Sequence, residues 1–200
     1  GIPAEGDIVT SAMSAATAME NGWRVLLCGG RGLIEEVTRV TDDVVVAYNE
    51  PAASGGFDAV VVGFHREFNY QVLTDALTAV RGGAVLIGSN DDPTYPTPNG
   101  PIPGGGSILA AIEKASGVTP TVTGKPYGPM AKLVRDLCGD VTPEEMVMVG
   151  DMPATDGAFA RTIGCAFALV LSGMTPSADG VHAEIVEDSL AGVADRLLNN

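Results

Sequence analysis

The chain has 200 residues, 46% of them hydrophobic, and a formal net charge of −14. That apolar content can bury a core and excludes a disordered chain. With 11 Lys and Arg against 25 Asp and Glu, the field repels phosphate backbones and anionic lipid, so neither a nucleic-acid nor a membrane partner is expected.

Three cysteines, Cys28, Cys138 and Cys165, lie in or beside apolar runs, and no pair has C-x-x-C spacing. They read as buried thiols of a reducing compartment, which places the chain in the cytoplasm.

In chain order, Thr10 and Ser11 can cap a helix running to about Asn21, with Gly22 to end it. Trp23 reads as core at the start of a strand, Arg24–Cys28. Further strands are predicted at Val44–Ala47, Ala59–Gly63, Ala84–Ile87, Met146–Val149 and Ala166–Leu171, rich in Val, Leu and Ile as strands buried on both faces are. His65-Arg66-Glu67 reads as a solvated helix start, with a substrate-facing role as the alternative.

Helical spacing places Val72, Leu73, Ala76, Leu77 and Val80 on one face, then Ile108, Ala111, Ile112 and Ala115. It does the same for Met130, Leu133, Val134 and Leu137, and for Leu190, Val193, Ala194 and Leu197. Strands alternating with helices predict a mostly parallel sheet, an α/β fold. Residues 91–107 hold five prolines and four glycines. They read as a loop re-entering a second domain, with Ser107 capping the next helix, so the boundary is placed at 92/93.

Two segments carry chemistry. In Met146-Val-Met-Val-Gly-Asp-Met-Pro-Ala-Thr-Asp156, an apolar strand delivers Asp151 to its carboxyl end, where ligands of open α/β sheets bind. A second carboxylate, Asp156, follows five residues on. The pair suits a hard cation such as Mg²⁺; the alternative is that Asp156 only caps a helix and Asp151 fills a turn. In Val122-Thr-Gly-Lys-Pro126, Lys125 is held between Gly124 and Pro126, where it can meet a phosphate oxygen as a point charge or stand as an ordinary surface lysine. The glycines before Ser107 are not followed by Gly-Lys-Ser or Gly-Lys-Thr, which excludes a P-loop, and no G-x-S-x-G elbow is present.

Together, Gly124-Lys125-Pro126 and Gly150-Asp151-x-x-x-Thr155-Asp156 resemble the haloacid dehalogenase (HAD) superfamily. Within it, the chain is most similar to the NagD-like phosphatases with a large α/β cap. Thr10-Ser11-Ala12, Asp58-Ala-Val-Val-Val-Gly63, Ser89-Asn90-Asp91-Asp92 and Leu169-Val-Leu-Ser-Gly173 fit the same pattern in order.

The resemblance implies a cap over residues 1–92 and, over 93–200, an incomplete Rossmann-like HAD core. It implies Mg²⁺-dependent hydrolysis of a small phosphorylated metabolite. Lys125 would balance charge, Asp151 and Asp156 would serve the metal, and Asn90, Asp92 and Arg66 would lie near the substrate. Pairing of two copies through the cap is a further implication. His65 and the Met152-Pro153 filling of the acidic loop depart from the pattern. So does the lack of any Asp-x-Asp, the motif that carries the nucleophile; the resemblance places it in a segment upstream of Gly1.

Overall fold

The computed structural model describes residues 6–48 and 55–199. The chain divides into two compact units, one ending at Gly124 and one starting at Lys125.

The strands of the first unit are β1 Val25–Cys28, β2 Val44–Val46, β3 Ala59–Val62, β4 Val85–Gly88, β5 Thr94–Tyr95, β6 Ile102–Pro103 and β7 Thr121–Val122. Five of them form a parallel sheet in the order β2-β1-β3-β4-β7. Its helices are α1 Ser11–Thr17, α2 Arg31–Val37, α3 Tyr70–Arg81 and α4 Gly105–Ser116.

Alternation along the strands builds two cores. Leu26, Cys28, Val60, Val62 and Leu86 pack with Val72 and Ala76 of α3 and Ile108 and Ile112 of α4. Val25, Leu27, Val61 and Ile87 pack with Ala15 of α1 and Leu33 and Val37 of α2. Both faces of the sheet are therefore covered, which is why these strands read as unbroken apolar runs. Each Val, Leu or Ile side chain so buried contributes roughly 1.5–3 kcal/mol.

The second unit has a three-stranded parallel sheet, β10-β9-β8, with β8 Val147–Gly150, β9 Ala166–Val170 and β10 Ile185–Glu187. Phe167 and Leu169 face Ala160 of α6 (Ala158–Ile163), while Ala168 and Val170 face Val193 of α7 (Leu190–Leu198). The remaining helix, α5 (Gly128–Cys138), packs on α6. Among the described residues no helix is long and apolar enough to cross a membrane.

The six strands expected from the sequence all form, each within a residue of its expected ends. Several other expectations need correction. The boundary falls after Gly124, not after Asp92, because α4 packs on α3 and β7 pairs with β4. The loop over 91–107 contains the antiparallel hairpin β5–β6. Ser107 does not cap α4: Gly104 holds the cap position, and the Ser107 hydroxyl donates to the Pro93 carbonyl at 2.6 Å.

Helix α1 ends at Thr17, short of Asn21, where tightened bonds from Ala18 and Met19 to Ala15 and Ala16 close its last turn. Gly22, at φ +80°, serves the turn beyond. Trp23 is half-buried against the second core. Of the thiols, Cys28 is buried, Cys165 partly so, and Cys138 is exposed at the end of α5.

Candidate phosphate and metal site

Strand β8 ends at Gly150 and passes directly into Asp151. The chain then winds through one wide helical turn, Pro153–Gly157, which carries Asp156. Asp156 is only 5% exposed. Its Oδ1 accepts from Lys125 Nζ at 2.6 Å, and its Oδ2 accepts from the Met152 amide at 3.1 Å. Thus the first residue of the second unit and the loop after β8, 31 positions apart, are tied together by one buried carboxylate.

Lys125 keeps 39% of its side chain accessible. An ammonium has three donors, so the remainder stay available toward solvent. Asp151 sits just ahead of this knot. Its Oδ2 accepts from the Met174 amide at 2.7 Å; its Oδ1 makes no hydrogen bond or ion pair among the described residues.

Two glycines make the arrangement possible. A Cβ at Gly150 would overlap the Asp156 carboxylate, and one at Gly173 would overlap that of Asp151. Gly124 also serves close approach, for its Cβ would lie 2.5 Å from the Ser89 carbonyl.

The expected residues of the first unit stand as follows. Asn90 Nδ2 donates to Asp92 Oδ2 at 3.0 Å, while Asn90 Oδ1 is buried without a partner among the described residues. The Arg66 guanidinium lies 5.7 Å from the centre of the Phe64 ring, which itself stacks on Tyr95 at 4.9 Å. His65 is not solvated: it is 3% exposed, with Nε2 at 2.9 Å from the Ala47 carbonyl, whereas its neighbours Arg66 and Glu67 are exposed. Sequence reading missed the Met152 and Met174 amides, since backbone donors carry no residue signature. Gly150 and Gly173 were the available clue.

The donor chemistry suits a magnesium ion in part. Mg²⁺ takes oxygen ligands and often only one or two carboxylates, with water and phosphate completing its shell. Asp151 offers one uncommitted carboxylate oxygen at the carboxyl end of a strand. Asp156 has spent both oxygens on protein donors. No group of three or more His, Cys, Asp or Glu that could hold an ion alone occurs among the described residues.

The second unit coincides with a match to the HAD-hydrolase-like family model over residues 122–198. The chain is 32% identical to a hypothetical protein from Pyrococcus horikoshii, with a TM-score of 0.81 over 95% of this chain and 75% of that one. The chain belongs to the HAD-like hydrolases.

Other relatives carry names. D-glycerol 3-phosphate phosphatase of Mycobacterium tuberculosis is 37% identical over 191 residues, covering 93% of this chain. Acid sugar phosphatase of Staphylococcus aureus is 28% identical over 193 residues, covering 95%. The chain spans 52% and 66% of the lengths of these two curated relatives. A glycerol phosphate phosphatase from Mycobacterium tuberculosis, solved in complex with magnesium, is 34% identical with a TM-score of 0.71, over 84% of this chain and 50% of that one. The HAD-like phosphatases of the NagD type are thus the group that this chain resembles in sequence and in fold.

Proposed function

We propose that this chain supplies the charge-collecting part of a cytoplasmic phosphate-monoester hydrolase acting on a small phosphorylated polyol or sugar. The observation that carries the reading is the buried Lys125–Asp156 pair, set beside a carboxylate with one uncommitted oxygen, at the carboxyl end of β8.

In this reading Lys125 presents its spare N–H groups to a phosphoryl oxygen. Asp156 fixes the direction of that ammonium and, through the Met152 amide, the course of the loop. Asp151 would hold Mg²⁺, with the Met174 amide restraining its other oxygen. When bound, the ion stabilises charge that develops on the transferring group. Because no Asp-x-Asp occurs in these 200 residues, the attacking carboxylate is assigned to another segment of the polypeptide. The first unit, with Asn90, Asp92 and Arg66, is assigned to the cap.

The choice of substrate class rests on the names of the two curated relatives, one a D-glycerol 3-phosphate phosphatase and one an acid sugar phosphatase. The test is phosphate release from glycerol 3-phosphate and sugar phosphates by the full-length polypeptide, with and without Mg²⁺. Asp151→Asn is expected to lower kcat at least a hundredfold, on the order of other losses of a charge-stabilising group. Turnover that is unchanged in Asp151→Asn, or indifferent to chelation, would overturn the proposal.

A further inference from the structure

Asp156 holds the Lys125 side chain at its tip; the backbone that carries Lys125 is held elsewhere. Strand β7, just ahead of it, is two residues long, lies at the edge of the first unit's sheet and pairs with β4 only through Thr121 and Val122. Thr123 extends that hold. Its amide donates to the Gly88 carbonyl at 2.9 Å and its hydroxyl donates to the same carbonyl at 3.1 Å, while its own carbonyl accepts from the Ser14 hydroxyl of α1 at 2.6 Å. Thr123 and Ser14 are both 0% exposed.

Ser14 spends its hydroxyl in a particular way. A hydroxyl on a helix can bond back to a carbonyl one turn earlier, as those of Thr38, Thr74 and Thr78 do. Ser14 instead reaches a carbonyl 109 positions away. Its neighbours in the helix are the buried Ala15 and Ala16. Alanine is the better helix former and brings no polar group to satisfy, so helix formation alone does not call for a serine there.

The bonded carbonyl belongs to the peptide that joins Thr123 to Gly124. Glycine has the widest backbone freedom of any residue, so the course of the chain into Lys125 depends on how that peptide is fixed on its upstream side. A preorganised cation stabilises developing charge only where it stands in the right place, and a displacement of about 1 Å can cost on the order of a hundredfold in rate.

We infer that Ser14 is a positioning residue for Lys125. Through the Thr123 carbonyl it fixes the peptide from which Gly124 and Lys125 depart, and so the place at which the ammonium meets a phosphoryl oxygen. The inference rests on the role proposed above for Lys125.

The test uses the full-length polypeptide with Ser14→Ala, Ser14→Cys and Val37→Ala. Ser14→Ala is expected to lower kcat for phosphate release from glycerol 3-phosphate about five- to fiftyfold with KM little changed, the mark of an interaction made in the transition state. It should also shift the amide and side-chain resonances of Lys125, while the affinity for Mg²⁺, assigned to Asp151, holds. Ser14→Cys is close in size and a weak donor; it should show smaller changes of the same sign, and it decides the matter if Ser14→Ala does not fold. Val37 is 0% exposed and packs in the same core as Ala15. Val37→Ala should lower Tm through the cavity it leaves, with kcat and the Lys125 resonances unmoved.

Lys125 resonances that stay in place in the Ser14 variants would overturn the inference. So would wild-type kcat in those variants, or a loss of kcat that Val37→Ala reproduces. A wild-type polypeptide that releases no phosphate would count against the proposed function instead, and the Lys125 resonances would then decide alone whether Ser14 positions this lysine.

Discussion

Asp156 joins two parts of the second unit that the sequence separates by 31 positions, and its burial sets the consequences of changing it. Removing Lys125 leaves a carboxylate that is 5% exposed with only the Met152 amide as partner. Loss of one member of such a pair costs about 3–5 kcal/mol when both are buried. Lys125 is 39% accessible, so solvent lowers that figure, and Lys125→Met is expected to cost about 1–3 kcal/mol. Gly150→Ala acts on the same carboxylate by steric overlap and should cost at least as much. Denaturant melts of the two variants check both, and a Gly150→Ala chain as stable as wild type would show that Asp156 does not pack where described.

Thiol chemistry is a second matter for single residues. Burial, with Asp75 nearby, pushes the Cys28 thiol up to about 12, so it stays protonated and inert near neutral pH. Cys138 is exposed. A thiol reagent at pH 8 should label Cys138 first and Cys28 only on unfolding, which peptide mapping can read.

At the scale of elements, the legible parts were those with continuous chemistry. Val25–Cys28, Ala59–Val62 and Ala166–Val170 announce themselves because both of their faces are covered. Strands β7, two residues long, and β10, which ends in Glu187, are too short or too mixed to stand out. Helix α2, at seven residues, offers less than two full turns of periodicity. That Lys125 and the acidic loop belong to one site was implied by the family resemblance of their two motifs, not by residue type or spacing. That Asp156 would spend both oxygens on protein donors was not legible, since it depends on the backbone path through Pro153–Gly157.

One element also carries a pH dependence. Glu184 accepts from the Phe167 amide at 2.8 Å, and that bond above all holds its carboxyl below the ordinary carboxylate value, with its own amide and His182 adding to the effect. A depressed folded pKa contributes stability that is present above the unfolded value, about 4.3, and is lost as pH falls through the folded one. Glu184→Gln should therefore flatten the acid limb of the stability profile below about pH 4.3, in melts recorded from pH 6 to pH 3.

For the whole molecule, a net charge of −14 on 200 residues makes self-repulsion a general term opposing compaction. Salt screens it over a Debye length of about 10 Å at 0.1 M, so Tm should rise between 20 mM and 200 mM NaCl. The same acid excess makes a lysine fixed at the mouth of the second unit's sheet valuable to a phosphate-handling protein, because little else in the chain attracts an anion.

The most direct test of the account is calorimetric titration of Mg²⁺ into the full-length polypeptide and its Asp151→Asn and Asp156→Asn variants. With the ion assigned to Asp151 and the positioning of Lys125 to Asp156, Asp151→Asn is expected to weaken Mg²⁺ binding at least tenfold, while Asp156→Asn lowers Tm and retains most of the affinity. Wild-type affinity in Asp151→Asn would contradict that assignment.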